Sequence, residues 1–472
     1  MKSENKNFIY NIIYQILIYI FPLITTPYIS RVLGVENIGI YSYTYSIVYM
    51  FMLVAMLGIN NYGNRAVSRE RDDIQKLSET FFSIYYLQLF TCFIISIIYI
   101  AFILIFVDRY QNIFIMQFIY LISVYFDINW FYFGIEKFKI TITRNLFIKI
   151  VSTILIFLLV KDKSDLIIYT LIMSSSTLIS QLYLIIILKK YIKYVKVSLN
   201  KVLSNFKGCL ILFIPVLAYG LYRVMDKTMI GSLSTVIELG YYENAEKIIN
   251  IPIAVITALG TVMLPRMSYI FKNNNENYKK QIYESMKLGL LLSTIMALGL
   301  ILTADDIALV LFGNEFLVSG TIIKLLTLTI IVSSWANIIR TQFLIPIGAD
   351  KIYIYSTIGG AVINLVLNLI FIKPFGARGA CIGTIAAESY VMLYQTIKTR
   401  NKLEIKKYTN LMIKYLIINT SIILVSYCFT FFIKKAYVRL IFKVLLTIIL
   451  FLVIHYKYIF YEFLGIDKGK RV

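Results

Sequence analysis

The sequence predicts an all-α polytopic membrane protein: two six-helix bundles arranged as parallel repeats, followed by a C-terminal helical hairpin. Three observations carry the prediction: a composition too apolar for a soluble core, long apolar windows along the whole chain, and an internal duplication. Of 472 residues, 59% are hydrophobic and 15% charged, against ~25% charged in ordinary soluble domains. Surface of that kind is buried only if lipid is the solvent. The windows are continuous and near the ~20 residues of a membrane helix, not the ~10-residue alternating segments of a β-barrel.

About fourteen spans follow from that length criterion. They start near Phe8, Ile38, Phe81, Ile113, Leu146, Leu166, Leu210, Glu238, Leu288, Ile322, Ile352, Ala377, Leu411 and Leu440. The first apolar stretch runs from Phe8 to Ile29. It is longer than a signal-peptide core and lacks a small-residue cleavage site, so it is expected to be retained. Pro22, Pro27, Pro215, Pro252 and Pro346 fall within or at the ends of spans, where bends supply hinges.

Loop charges orient the bundle. Loops after even-numbered spans hold Arg65, Arg69, Arg71 and Lys76, then Lys137, Lys139 and Arg144, then a run of lysines from Lys189 to Lys207. Loops after odd-numbered spans are short and hold few bases, such as Arg109, Lys161 and Lys163. By the positive-inside rule both termini are cytoplasmic. Lys434, Lys435 and Arg439 break the pattern between the last two spans. The net charge of +22 is thus accounted for by topology, and no nucleic-acid partner is expected. The long loops NRAVSRERDDIQKLSETF and YIKYVKVSLNKVLSNFKG are amphipathic and are expected along the cytoplasmic surface.

The duplication joins ENIGIYSYTYSI (36–47) to IELGYYENAEKI (237–248). Gly39 matches Gly240, Tyr41 matches Tyr242, Ile47 matches Ile248, and Arg65 falls on Arg266 at the same offset. GIEKFKIT (134–141) likewise resembles GADKIYIY (348–355). A separation of six spans preserves orientation, so the repeats are parallel about an axis along the membrane normal. The expected division is a bundle over 1–200, a second over 201–400, and an appended hairpin and tail over 401–472. Two such bundles imply alternating access around a cavity between them.

The opening PLITTPYISRVLGVENIGIYSY, the tandem halves and the extra hairpin resemble the bacterial oligosaccharide flippases. These are polysaccharide biosynthesis proteins of the multidrug/oligosaccharidyl-lipid/polysaccharide exporter superfamily. The resemblance covers the whole chain, with PYISRVLG-x-x-x-x-G-x-Y as its most specific part. It implies a V-shaped fold like that of the multidrug exporters of this superfamily. It also implies transport of undecaprenyl-pyrophosphate-linked oligosaccharide to the outer leaflet, with two lobes rocking around a cationic cavity. Its implied partners are the lipid-linked oligosaccharide, membrane lipid, a proton or sodium gradient and polysaccharide polymerase machinery. No cofactor is implied. A pyrophosphate and a glycan cannot cross ~30 Å of hydrocarbon without a polar path, and arginine suits phosphate through its forked donors.

Charges inside spans cost ~2.5–3.5 kcal/mol on insertion scales and mark candidate sites. Arg223, Asp226 and Lys227 in YGLYRVMDKTMIGSL share one helical face at i, i+3 and i+4. They make a cationic phosphate site, or an ion pair that only neutralises two buried charges. Arg31 ends the first span, where snorkelling to the interface is the plainer account. Arg65 and Arg266 head repeat-matched cytoplasmic loops and are candidates to recruit pyrophosphate at a cavity mouth. Lys324 and Arg340 bracket the tenth span, and Asp127 and Glu388 are lone acids suited to ion coupling or to interhelical hydrogen bonding. Clusters such as YSYTYS offer rings to stack on sugars.

No catalytic or metal site is expected. The one histidine, His455, lies in the last span, and the four cysteines sit in apolar segments, so neither a Ser-His-Asp set nor a metal framework can be assembled. Within the superfamily the alternatives are a cation-coupled multidrug exporter, which calls for a more apolar cavity, and a peptidoglycan-precursor flippase. From another class, a membrane glycosyltransferase or polysaccharide polymerase calls for acidic residues in a large outer loop, which the span pattern does not provide.

Overall fold

The computed structural model describes residues 3–273 and 277–456, with the side chains of 3–20, 22–23, 215, 218–219 and 221–223 left aside. The side chains of Pro22, Pro215 and Arg223 therefore lie outside the described residues. Among these residues every regular element is helical. The chain divides into two compact units, Met1–Gly240 and Tyr241–Val472.

The first unit contains α1 (Ser3–Met56), α2 (Ile59–Glu70), α3 (Ile74–Phe106), α4 (Gln111–Tyr125), α5 (Asn129–Gly134), α6 (Phe138–Leu159), α7 (Leu166–Leu188) and α8 (Leu199–Leu233). Its last residues open α9 (Val236–Lys272). The second unit takes the rest of α9 and adds α10 (Tyr278–Ile307), α11 (Leu317–Ile339), α12 (Asp350–Phe375), α13 (Ala377–Thr399), α14 (Ile405–Thr430) and α15 (Ala436–Ile454). Each expected span start falls inside one of these helices. Eleven stretches among the described residues are long and apolar enough to cross a membrane, and the chain is a multi-pass membrane protein. α13 lies outside those eleven despite its length because it is rich in small residues, and α8 contains the side chains left aside above.

The first two expected spans form one 54-residue helix broken at Gly34, which takes φ +77° and ψ 174°. Such a φ costs glycine little and any other residue more. The bend therefore falls at Gly34, whereas Pro27 sits in continuous helix. Pro252 and Pro265 are likewise carried inside α9.

α2 buries Ile59, Gly63 and Val67, a four-residue spacing that makes one helical face. That face meets α5: a methyl group at Gly63 would press into Trp130, and one at Gly134 into Val67. Its exposed face carries Arg65 and Arg69. α3 starts cleanly because the Asp73 carboxylate accepts the amides of Gln75 (2.9 Å) and Lys76 (3.1 Å), as an N-cap should.

The first core gathers Phe81, Tyr99, Phe131, Tyr132 and Trp130, with the Trp130 Nε1–H donated to Gln88 Oε1 at 3.1 Å. The second gathers Met267, Met286, Leu290, Trp335, Phe343 and Tyr408. Outside the cores, α3 exposes Phe90, Phe93, Ile97, Leu104 and Phe106, and α15 exposes Ile441, Leu445, Ile448 and Val453. An apolar exterior over ordered packing is what a lipid solvent selects.

One contact falls where the duplicated segments begin. A Cβ at Gly39 would overlap the carbonyl oxygen of Val236, and a Cβ at Gly240 would overlap that of Val35. The approach requires glycine at both positions.

Candidate functional site

In the first unit, Arg31 is exposed, three residues before the Gly34 break, and Arg65 is exposed on α2. Asp226 is buried and Lys227 half-buried on α8. Asp127 lies in the short gap between α4 and α5, where its Oδ1 accepts the Asn129 backbone N–H (3.1 Å) and side-chain amide (2.6 Å). In the second unit, Arg266 is exposed on α9. Lys324 Nζ is paired with Asp305 Oδ2 at 2.5 Å. Arg340 donates to Asn337 Oδ1 at 2.8 Å and lies over the Tyr353 ring at 5.6 Å. Glu388 Oε2 accepts the Ser333 hydroxyl at 2.8 Å. Asn129, Asp305, Asn337, Tyr353 and Ser333, which meet these side chains, lie outside the predicted set.

Two polar centres escape the sequence pattern. Arg144, counted above among loop charges, is buried on α6. Its Nη1 donates to the Ser180 carbonyl (3.1 Å) and Gln181 Oε1 (3.2 Å), and its Nη2 to Asn129 Oδ1 (3.0 Å) and Asn145 Oδ1 (2.7 Å). Asn129 therefore bridges Arg144 to Asp127. In the sequence it stands with Lys137 and Lys139, just before the span that starts near Leu146, and nothing there marks it as buried.

The second is Asp306 on α10, 1% exposed. Its Oδ1 accepts Arg439 Nε (2.8 Å) and Nη2 (2.6 Å), and its Oδ2 accepts Lys443 Nζ (2.7 Å). Arg439 and Lys443 stand one turn apart on α15. Arg439, one of the three basic residues that break the loop-charge pattern, is thus a member of a three-residue ion cluster fastening α15 to α10. Its sequence signal was the acidic pair in TADDI opposite an i, i+4 basic pair.

The tyrosines of YSYTYS pack and bond to protein. Tyr41 and Tyr120 share a hydroxyl hydrogen bond of 2.8 Å. The Tyr41 ring is stacked on Tyr45 at 6.0 Å and set edgewise to Tyr169 at 4.8 Å.

At the end of the first unit remote from Arg65 and Arg71 lies a cavity of about 440 Å³, lined by Asn37, Tyr110, Gln111, Asn112, Lys163 and Ser164. Asn37 donates to the carbonyls of Leu33 (3.0 Å) and Lys163 (2.8 Å). Beside it, the Ser164 hydroxyl and backbone N–H donate to Asp162 and hold its carboxyl below the usual carboxylate range.

Among the described residues no group of three His, Cys, Asp or Glu side chains is placed to hold a metal ion, and all four cysteines are free thiols.

Comparison with known proteins agrees with this architecture. A protein of Escherichia coli (strain K12) whose name marks it as a candidate O-antigen transporter is 23% identical over 405 residues, 84% of this chain and 97% of that one. One of Haloferax volcanii, named as a candidate low-salt glycan biosynthesis flippase, is 27% identical over 164 residues, 34% of each chain. Among solved structures the fold matches the lipid II flippase MurJ in an inward closed conformation, with TM-score 0.73 and 17% identity over 97% of this chain and all of that one. It also matches an inward-facing multidrug-resistance MATE transporter, with TM-score 0.62 and 15% identity over 83% of this chain and 94% of that one. The family model for polysaccharide biosynthesis proteins matches residues 5–271, more than half of the sequence, and the chain belongs to that family.

Proposed function

We propose that this protein is a flippase that moves undecaprenyl-pyrophosphate-linked oligosaccharide repeat units across the bacterial cytoplasmic membrane by alternating access. Capsule, O-antigen or another surface polysaccharide would be the product served. Family membership and the relatives' names support the substrate class. The observation that carries the mechanism is reciprocal packing: Gly39 meets Val236 while Gly240 meets Val35. Each pair maps onto the other at the offset of the duplication, the self-complementary signature of a two-fold relation. Parallel repeats of that kind are the framework of alternating access.

On this reading the repeats are 1–200 and 201–400, with 401–472 appended, about fourteen spans in all and both termini cytoplasmic. Arg31, Arg223, Asp226 and Lys227 form the pyrophosphate-binding set, and Arg65 and Arg266 recruit the headgroup from the inner leaflet. Lys324 and Arg340 add positive charge, while Asp127 and Glu388 couple transport to a proton or sodium gradient. Polysaccharide polymerase machinery receives the product.

Deletion followed by lipid analysis is the test. Full-length lipid-linked repeat units should accumulate on the cytoplasmic side. Absence of the repeat unit altogether would point to an enzyme. Arg31→Ala and Arg223→Ala should each slow transport about tenfold, the loss of one charge-assisted contact. Unchanged transport in both would remove the pyrophosphate assignment.

A further inference from the structure

The cavity at the end of the first unit has a chemistry that the proposed pyrophosphate site does not use. α3 leaves the basic loop near Lys76 and its far end, Phe106, leads to Tyr110. Its 33 residues rise about 50 Å at 1.5 Å each, more than a hydrocarbon core. α6 starts after Lys137, carries Lys139 in its first turn, and leads at its far end to Lys163. Both loops therefore stand opposite the basic loops, at the end facing outward in the proposed topology.

The lining is rich in carboxamides. Among the described residues the side chains of Tyr110, Gln111 and Asn112 make no hydrogen bond, so their donors and acceptors are available. Asn37 spends both amide hydrogens on the Leu33 and Lys163 carbonyls, which fixes the direction of its Oδ1 as an acceptor. Tyr110 is held at φ +62°, a conformation uncommon outside glycine and asparagine. Carboxamides donate and accept at once, which matches vicinal hydroxyls, each of which also does both. A phosphate offers acceptors alone and would leave the Asn37 Oδ1 without a donor. The volume lies within the range of small-ligand sites. Asn37 also heads a stripe of rings on α1, Tyr41, Tyr45 and Tyr49, at four-residue spacing.

We propose that this cavity is an outward-facing subsite for pyranose rings of the transported glycan, with Asn37, Gln111 and Asn112 bonding sugar hydroxyls. The ligand class rests on the flippase reading; the cavity and its free carboxamides do not.

The test uses the full-length protein in lipid nanodiscs with Cys428→Ser, which removes the exposed thiol. Saturation-transfer NMR is run with N-acetylglucosamine, glucuronic acid and inorganic pyrophosphate as probes. At least one sugar should show transfer, reduced about tenfold in Gln111→Leu/Asn112→Leu, and its signals should broaden when Ser164→Cys carries a nitroxide. Sugar transfer that ignores both changes overturns the proposal, as does binding of pyrophosphate alone. In cells, the double variant should slow polymer export in a deletion strain. If the deletion accumulates lipid-linked units and the variant restores export fully, the subsite falls and the flippase reading stands. If the deletion accumulates none, the flippase reading falls and takes the glycan assignment with it.

Discussion

At the residue scale, the cost of a charge away from water decides where each basic residue ends up. Arg65 and Arg266 stay exposed, while Arg144 is buried and donates to Ser180, Gln181, Asn129 and Asn145. Lysine at position 144 would keep the charge but lose the fork that reaches Asn129, Asn145 and Gln181 together. Arg144→Lys should therefore destabilise the first unit by about 1–3 kcal/mol, the cost of leaving buried polar groups unmatched. A lowered thermal transition of the purified protein in detergent would report it, and an unchanged transition would deny Arg144 a structural role. Arg144 was illegible in the sequence because it follows Lys137 and Lys139, and one-dimensional charge counting cannot separate a topology signal from a buried anchor. Asp127 and Glu388 stood out as lone acids. Their acceptor roles toward Asn129 and Ser333 depend on which helices pack side by side.

At the element scale, local rules explain starts, stops and bends. Gly34 with positive φ breaks α1, Asp73 caps α3, and the Ile59–Gly63–Val67 face seats α2 on α5. The C-terminal hairpin is different, since α15 is nearly uniformly apolar and its own pattern names no partner. Asp306 supplies one by drawing in Arg439 and Lys443. Removing one member of a buried ion cluster is expected to cost about 3–5 kcal/mol, because the remaining charges lose their compensation. Arg439 is 30% exposed at its side chain, so Asp306→Asn belongs at or below the low end of that range. Limited proteolysis between α14 and α15 should quicken in this variant. The triple change Asp306→Asn, Arg439→Leu, Lys443→Leu should restore protection, since it leaves no unpaired charge. Equal cleavage rates in wild type and Asp306→Asn would show that apolar packing alone holds the hairpin.

At the scale of the whole molecule, the paired glycines carry the proposed two-fold relation. Valine at position 39 would overlap backbone atoms of Val236, which cannot move aside as a side chain can. Gly39→Val and Gly240→Val should each impair folding or transport similarly, because the two contacts mirror each other. Overpacking typically costs about 1–3 kcal/mol. Expression yield, thermal transition and export rate, measured side by side, check this; a large effect at one glycine with none at the other would count against the proposed two-fold relation. The sequence by itself determined that the chain lives in lipid and where its helices lie, because apolar run length and glycine placement act locally. Only the tertiary structure decided that Arg144 and Arg439 are bound and not solvated, that Asp306 anchors the hairpin, and that Asn37, Asn112 and Lys163 line one cavity. Those facts depend on which residues far apart in sequence meet. In a bundle whose helices are nearly all apolar, hydrophobicity does not encode which faces pair; close approach and hydrogen bonding do.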